Sequence, residues 1–265
     1  MLAMIRGAGD LASGIALRLY HSGFDVVMTD LAAPMAIRRT VAFSEAVVHG
    51  VTTVEDITAR RVETVQEAMA CCAAGEISVL VDPEAELCCE LKPDVLVDAI
   101  LAKRNLGTKI TDAPVVIGVG PGFTAKVDCH AVVETMRGHT LGRAIYEGSA
   151  LPNTNIPGLI GGFAGERVLR APADGVFEGC RKIGEMVRSG DVAGYVAGEP
   201  MRCTIDGVLR GLIATGAEVK CGMKCGDVDP RGKIEYCYTV SDKALAVGGG
   251  VLEAVLHLTG ILKLK

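Results

Sequence analysis

Along the first half of the chain, short apolar runs alternate with stretches whose apolar residues recur at helical spacing. Residues 3 to 8 read as a buried strand. "LASGIALRLYHSG" follows, with apolar residues at 11, 15, 16 and 19, the one-face repeat of a helix, and Gly23 closes it. "FDVVMTD" is a second strand ending at Asp30, and "MAIRRTVAFSEAVVHG" and "TVQEAMACCAAG" read as helices. "ISVLVDP", "VLVDAI" and "APVVIGVGPGF" are further apolar runs of strand length. Strands apolar along their whole length need cover on both faces, the condition of a parallel sheet flanked by helices. The pattern predicts an α/β fold, a Rossmann-like doubly wound parallel sheet over residues 1–150.

The second half changes character. Residues 174–196, "DGVFEGCRKIGEMVRSGDVAGYV", align without a gap on 206–228, "DGVLRGLIATGAEVKCGMKCGDV", and nine of 23 positions coincide, five of them glycine. Glycines at turn spacing with Val and Ile between them predict short strands and tight turns. Residues 165–240 are expected to form a small all-β barrel-sandwich module like a biotinyl or lipoyl domain. Such carriers hold their cofactor on a lysine between the halves. Here that connection, "AGEPMRCTI", has none, so a rigid docking module is expected rather than a swinging arm. Residues 241–265 are expected to form a last helix that packs back on the first domain.

Composition narrows the function. Of 265 residues 49% are hydrophobic and only 4% aromatic, and the net charge is −5. Nucleic-acid binding wants cationic surface and stacking rings, so it is excluded. The mean hydropathy of +0.35 is high. Yet the most apolar tail reaches Glu253 after nine residues, short of the roughly 18 that a membrane span needs. The opening residues read as a strand and not a leader, which predicts a cytoplasmic protein. The ten cysteines suit small buried hydrophobes better than a disulfide framework. The one metal-like spacing, Cys221-x-x-x-Cys225, lacks a second pair, so no metal is expected.

In parallel sheets of this kind ligands sit at the carboxyl ends of the strands. Gly7-x-Gly9-x-x-Ala12, followed by Asp30, has the order of a dinucleotide fingerprint, with Ser13 and Gly14 in the same turn into the helix. Asp10 is the difficulty, because a carboxylate at a helix N-terminus repels a phosphate there. It either caps the helix or meets a hydroxyl or a cation. The later strand ends carry Asp98, Lys103, Arg104 and Asn105, then Gly120 and Gly122, then Arg137, His139 and Arg143. The cations suit phosphates or an oxyanion, and the aspartates suit hydroxyls. His139, with Asp98 and Lys103, is the candidate catalytic group.

Five segments together resemble one family: "IRGAGDLASGIALRLYHSGF", "VDAILAKRNLGT", "IGVGPGFTA", "VVETMRGHTLGR" and "RAPADGVF". They are similar to the accessory proteins of selenium-dependent molybdenum hydroxylases. The α/β half also resembles, more loosely, the nucleotide-binding part of xanthine dehydrogenase accessory proteins. The resemblance implies a maturation factor whose partner is a molybdenum hydroxylase of the xanthine-dehydrogenase type. The ligand is then a molybdopterin dinucleotide, with NAD(P) as the other candidate. Two further readings stand beside it, an NAD(P)-dependent oxidoreductase and a non-catalytic nucleotide-binding or docking module. Whether the chain is an enzyme, and whether it forms a homo-oligomer, the residues leave open.

Overall fold

A computed structural model of the chain describes residues 1–154 and 156–262. It comprises two compact units. One holds Met1–Pro34, Ala42–Asn153 and Val240–Lys265; the other holds Met35–Val41 and Thr154–Thr239.

The first unit is built on β1 (Leu2–Arg6), β2 (Asp25–Asp30), β3 (Val51–Val54), β4 (Ile57–Arg61), β5 (Ile77–Val81), β6 (Val95–Asp98), β7 (Val115–Val119), β8 (Thr124–Ala125), β9 (Ala131–Val133), β10 (Ala144–Ile145) and β11 (Gly148–Ser149). Its helices are α1 (Asp10–His21), α2 (Glu45–His49), α3 (Val65–Ala73), α4 (Cys88–Leu91) and α5 (Asp242–Thr259). Nine strands make one sheet in the order β10-β9-β7-β6-β1-β2-β5-β4-β3. All pairs from β9 to β4 are parallel, and only the outermost strands, β10 and β3, run antiparallel. β1 lies between β2 and β6, with Arg6 facing Thr29 on one side and Asp98 on the other.

The apolar runs are continuous because both sheet faces are covered. Met4, Val27, Leu80, Leu96 and Val116 join Ala68, Cys71, Cys72 and Leu91 in one core. The alternate residues Ala3, Ile5, Val26, Met28, Val97 and Ile117 are equally buried. α1 stops where the pattern says it should. Gly23 has φ +85°, its amide donates to Tyr20 O, and the Phe24 amide donates to Leu19 O, the paired closing bonds of a Schellman end. α5 lies against α1 at a point where both are stripped to glycine. A Cβ on Gly14 would come within 2.7 Å of Ala244 Cβ, and one on Gly248 within 2.7 Å of Gly14 O.

The helix read over residues 35–50 is corrected. Only the five residues of α2 are α-helical, after a 3-10 turn at Arg39–Val41. Met35–Val41 belongs to the second unit, where the Leu212 amide donates to Ile37 O and Arg39 Nε to Leu212 O. Those tertiary bonds outweigh a local helical preference worth only tenths of a kcal/mol per residue. The β3–β4 hairpin offers neither an apolar run nor a regular alternation, because Val51–Arg61 is mostly polar and lies at the sheet edge.

The second unit contains β12 (Val168–Arg170), β13 (Gly175–Gly179), β14 (Met186–Val187), β15 (Val192–Val196), β16 (Glu199–Arg202), β17 (Gly207–Leu212), β18 (Glu218–Val219) and β19 (Lys224–Asp229). They form two antiparallel four-stranded sheets, β12-β19-β17-β14 and β16-β15-β13-β18. Each strand has its counterpart 31 or 32 residues on, so the structural repeat includes β12 and β16 and is longer than the sequence match. The hydrogen bonds repeat as well. Asp174 accepts from the Cys221 amide and Asp206 from the Ser189 amide, both at 2.8 Å. Arg170 donates to Gly222 O and Arg202 to Gly190 O, both at 2.9 Å. Each repeat therefore completes the turns of the other.

The repeats differ in charge. Arg210 and Asp227 are buried together, with Asp229 beneath, Arg167 on Asp227 and Arg231 on Asp229. The corresponding residues of the first repeat, Glu178 and Tyr195, are exposed. The arginine contacts outweigh the cost of burying Asp229 and hold its carboxyl below the usual range.

Candidate ligand site at the strand ends

The site begins where β1 ends. Gly7 has φ +102°, and its amide donates to Thr29 O at 2.8 Å. A Cβ there would lie 3.0 Å from Ala99 O and 3.2 Å from Ile100 Cα, so Gly7 is the point where the loop after β1 meets the loop after β6. The next amide, Ala8, donates to Asp30 Oδ2 at 2.8 Å, and the Leu31 amide donates to Oδ1 at 2.7 Å. Asp30 thus ties the first loop to the end of β2. Burial raises its pKa above the ordinary carboxylate value, against the lowering effect of the two amides.

Gly9 is the N-cap of α1 in an extended conformation (φ −68°, ψ −177°), with no side-chain cap. Nothing lies within 4 Å of a Cβ placed on it. Asp10 occupies the first turn of the helix. Ser13 is buried and committed internally, donating to Ala8 O and accepting from the Phe43 amide at 2.8 Å. Gly14 is committed to α5.

Under the loop after β6 lies a buried ion pair that the sequence reading missed. Arg6, the last residue of β1, is 3% exposed, and its Nη1 is 3.4 Å from Asp98 Oδ2. It also donates to Pro83 O, Leu106 O, Thr108 Oγ1 and Glu84 Oε2. Asp98 is fully buried and accepts from Thr108 Oγ1 at 2.6 Å and from the Ile100 amide. Burial is the largest influence on its carboxyl and raises it despite the guanidinium and the hydroxyl. The available signal was a lone arginine closing an apolar strand immediately before Gly7.

Above this pair, Lys103 and Arg104 are exposed. Asn105 Oδ1 accepts from the Gly107 and Thr108 amides and shapes the turn. The glycines after β7 serve close approach. A Cβ on Gly122 would meet the Arg104 backbone at 2.5 Å, and one on Gly120 would meet Thr135 Oγ1 at 2.9 Å. The first, β6 and β7 loops therefore form one continuous rim.

The turn after β9 contributes less. Glu134 is buried and accepts from the Thr135, Met136 and Leu151 amides. Arg137 forms a two-bond ion pair with Asp242 at 2.8 and 3.0 Å. His139 and Arg143 are exposed on that turn. Asp30, Asp82, Asp98 and Glu134 each close a strand or directly follow one, and each accepts loop amides. The acidic strand ends thus organise the loops. Among the described residues no group of three or more His, Cys, Asp or Glu is placed to hold a metal ion. Nor is any helix among them long and apolar enough to cross a membrane.

All ten cysteines are free thiols, and only Cys89, Cys180 and Cys221 are exposed. Burial pushes the thiols of Cys71, Cys88, Cys129 and Cys203 up to about 11. A maleimide at neutral pH is expected to label the three exposed thiols quickly and the other seven only on unfolding. Mass spectrometry of the native protein checks this, and rapid labelling of a fourth thiol would contradict the burial.

No family model matches the chain. It is 52% identical over 257 residues to the uncharacterized protein YqeB of Escherichia coli (strain K12), a match covering 97% of this chain and 48% of that protein. The chain therefore spans about half the length of the curated relative it matches. A succinylglutamate desuccinylase/aspartoacylase from Rhodobacter sphaeroides is similar over 24% of this chain and 22% of its own, at 26% identity and a TM-score of 0.23. An aspartoacylase family protein from Mesorhizobium loti aligns over 86% of this chain and 83% of its own, at 13% identity and a TM-score of 0.26. The ectoine utilization protein EutE (DoeB) from Ruegeria pomeroyi aligns over 80% and 61%, at 14% identity and a TM-score of 0.24. At these scores no activity is carried over from the structures. The expectation of a selenium-dependent molybdenum hydroxylase accessory protein is corrected by this outcome. The neighbours belong to the succinylglutamate desuccinylase and aspartoacylase family, and nothing among the matches points to molybdenum, molybdopterin or selenium.

Proposed function

We propose that the α/β unit binds a nucleotide-like ligand at the carboxyl edge of its sheet, with a phosphate against the N-terminal turn of α1. The observation that carries this reading is Gly9. Gly7 and Gly14 each have a packing partner that forbids a side chain, whereas the space over Gly9 is open, at a helix start that no side chain caps. Backbone amides at a helix start and an absent Cβ are what a phosphate needs for close approach. The strand order supports the same place. Read outward from β1, the series β5-β2-β1-β6-β7-β9 follows the Rossmann-like order 3-2-1-4-5-6, and ligands of such sheets bind where the order reverses, between β1 and β6. Asp30, at the end of β2 and bonded to the Ala8 amide, supports the reading, since an acid at the end of the second strand holds a ribose hydroxyl in such sheets.

Titration calorimetry with ADP, NAD and CTP tests the reading. The unmodified chain is expected to bind at least one of them, and Gly9→Val to lose that binding at least tenfold while remaining folded. Asp10→Asn removes a negative charge from the same turn and is expected to tighten binding. A carboxylate and a phosphate charge ~4 Å apart repel by about 4 kcal/mol per unit charge at an effective dielectric of ~20, before screening. Absence of binding to all three probes, or full binding by Gly9→Val, overturns the proposal.

A further inference from the structure

The two repeats of the β module treat one strand position in opposite ways. β14 and β18 are counterparts, and each is the last strand of its four-stranded sheet. At the first position β18 carries Glu218, paired across to Val176. β14 carries Met186 there, paired across to Val208 and 56% exposed. The stretch before the strand differs in the same sense, since Lys182 and Ile183 stand where the twin has Ala214 and Thr215. The fold therefore accepts a charged side chain at this edge and has no need of an exposed methionine.

Met186 is part of a group. Its Cε comes within 3.6 Å of a Cβ placed on Gly232. The turn that follows brings Ile234 and Tyr238 to the surface, each 48% exposed. Tyr238 is fixed beside β14, because its hydroxyl donates to Ile183 O and lies 2.6 Å from a Cβ placed on Gly184. Scattered exposed apolar residues need no explanation, but a patch assembled by tertiary contacts and rimmed by polar groups marks an interaction surface. The rim is cationic. Lys182 and Arg188 flank β14, exposed and with no ion pair among the described residues. Lys233, over the ring of Tyr236, precedes Ile234. Of the two carboxylates in these stretches, Glu185 is engaged by the Lys182 amide and by Arg181, which leaves Glu235.

We propose that this edge docks an extended, acidic segment of a partner protein, with its apolar side chains on Met186 and Tyr238 and its carboxylates toward the cations. The outer edge of β14 pairs with no strand. Main-chain bonds along such an edge supply affinity, and alternate side chains supply selectivity. Charge chooses the occupant. A local excess of cations on a chain of net charge −5 draws an anionic segment and repels a basic one. The inference is independent of the ligand reading of the α/β unit.

Fluorescence anisotropy of the whole chain with two labelled peptides tests this, one alternating valine with glutamate and the other valine with lysine. The glutamate peptide is expected to bind about tenfold more tightly than the lysine peptide, and to weaken in high salt. Met186→Glu installs the residue that the twin repeat already carries. Its melting temperature is expected to hold while glutamate-peptide binding falls about tenfold. Lys182→Ala combined with Arg188→Ala keeps the apolar residues and is expected to bring the two peptides to similar affinity. No binding of the glutamate peptide, equal binding of both peptides by the unmodified chain, or binding untouched by either variant overturns the proposal. Sedimentation velocity supplies the last arm. Self-association of the unmodified chain that Met186→Glu abolishes also overturns it, because the occupant is then a second copy.

Discussion

Arg6→Met is expected to lower the stability of the α/β unit by about 3–5 kcal/mol, the cost of breaking a buried ion pair by removing one partner. The side chain is 3% exposed and Asp98 is fully buried. Methionine fills much of the volume but supplies no donor. Asp98 is then left with the Thr108 hydroxyl and the Ile100 amide, and the carbonyls of Pro83 and Leu106 lose their partner. Glu84 contributes little to the loss, because it is 69% exposed and its contact is screened. The loss depends on pH with a definite sign. Burial already holds the Asp98 carboxyl above its ordinary range, and removing the guanidinium raises it further. A group whose folded pKa is raised binds its proton on folding, so its destabilising effect is absent in acid and grows as pH rises through the folded value. The deficit of the variant is therefore expected to be smallest in acid, where Asp98 is protonated, and to grow as pH rises toward neutrality. Urea unfolding followed by hydrogen exchange at β1 and β6 amides reads this unit separately from the other. A deficit below about 1 kcal/mol at neutral pH, or one that grows toward acid pH, would falsify the role assigned to the pair.

In α5, alanine at two adjacent positions is expected to act with opposite signs. Glycine inside a helix costs about 0.8–1 kcal/mol relative to alanine. At Gly249 nothing lies within 4 Å of the new methyl group, so Gly249→Ala is expected to stabilise by up to about 1 kcal/mol. At Gly250 the methyl group would overlap the carbonyl oxygen of Gly142 and come within 3.0 Å of Val133 Cγ1. That oxygen belongs to a backbone already locked against the helix, since a Cβ on Gly142 would in turn overlap the Ala246 carbonyl. Overpacking of this kind costs about 1–3 kcal/mol or more, which exceeds the propensity gain. Gly250→Ala is expected to lose about 1–2 kcal/mol net of the propensity gain and to loosen α5 from β7 and β9. Thermal unfolding of the two variants side by side checks this. A shift of the same sign in both would show that the glycines act through helix propensity alone.

Local chemistry was legible along the chain. The apolar runs "VVMTD", "ISVLV", "VLVD" and "VVIGV" read as buried strands, and their lengths leave no room for a helix. Alternation with helical stretches then implied a parallel sheet, and the large sheet is mostly parallel. The Schellman end at Gly23 was legible because a positive φ at C′ is a local demand that glycine meets. The 32-residue offset was legible because turns recur at fixed spacing. The full extent of the repeat was not, since Val168 and Leu169 correspond to Pro200 and Met201. Their equivalence lies in pairing to β19 and β15, not in side-chain identity.

The tertiary structure alone decided what the glycines and charges are for. Gly9, Gly14, Gly120, Gly122 and Gly250 are alike in sequence, yet only Gly9 has open space above it. The difference lies in which distant backbone approaches, a distance that no local pattern encodes. Arg6 stood inside an apolar run, and its meaning depends on Asp98, Thr108 and Leu106, about 90 to 100 positions away. Arg137 suggested a free cation, but α5 brings Asp242 to it across 105 positions. Met35–Val41 read as helix until backbone bonds to β17 claimed it for the other unit. Periodicity reports which faces of an element are buried. Which partner buries them, and whether a glycine or a charge is thereby committed or left open for a ligand, is settled only by close approach between segments far apart in the chain.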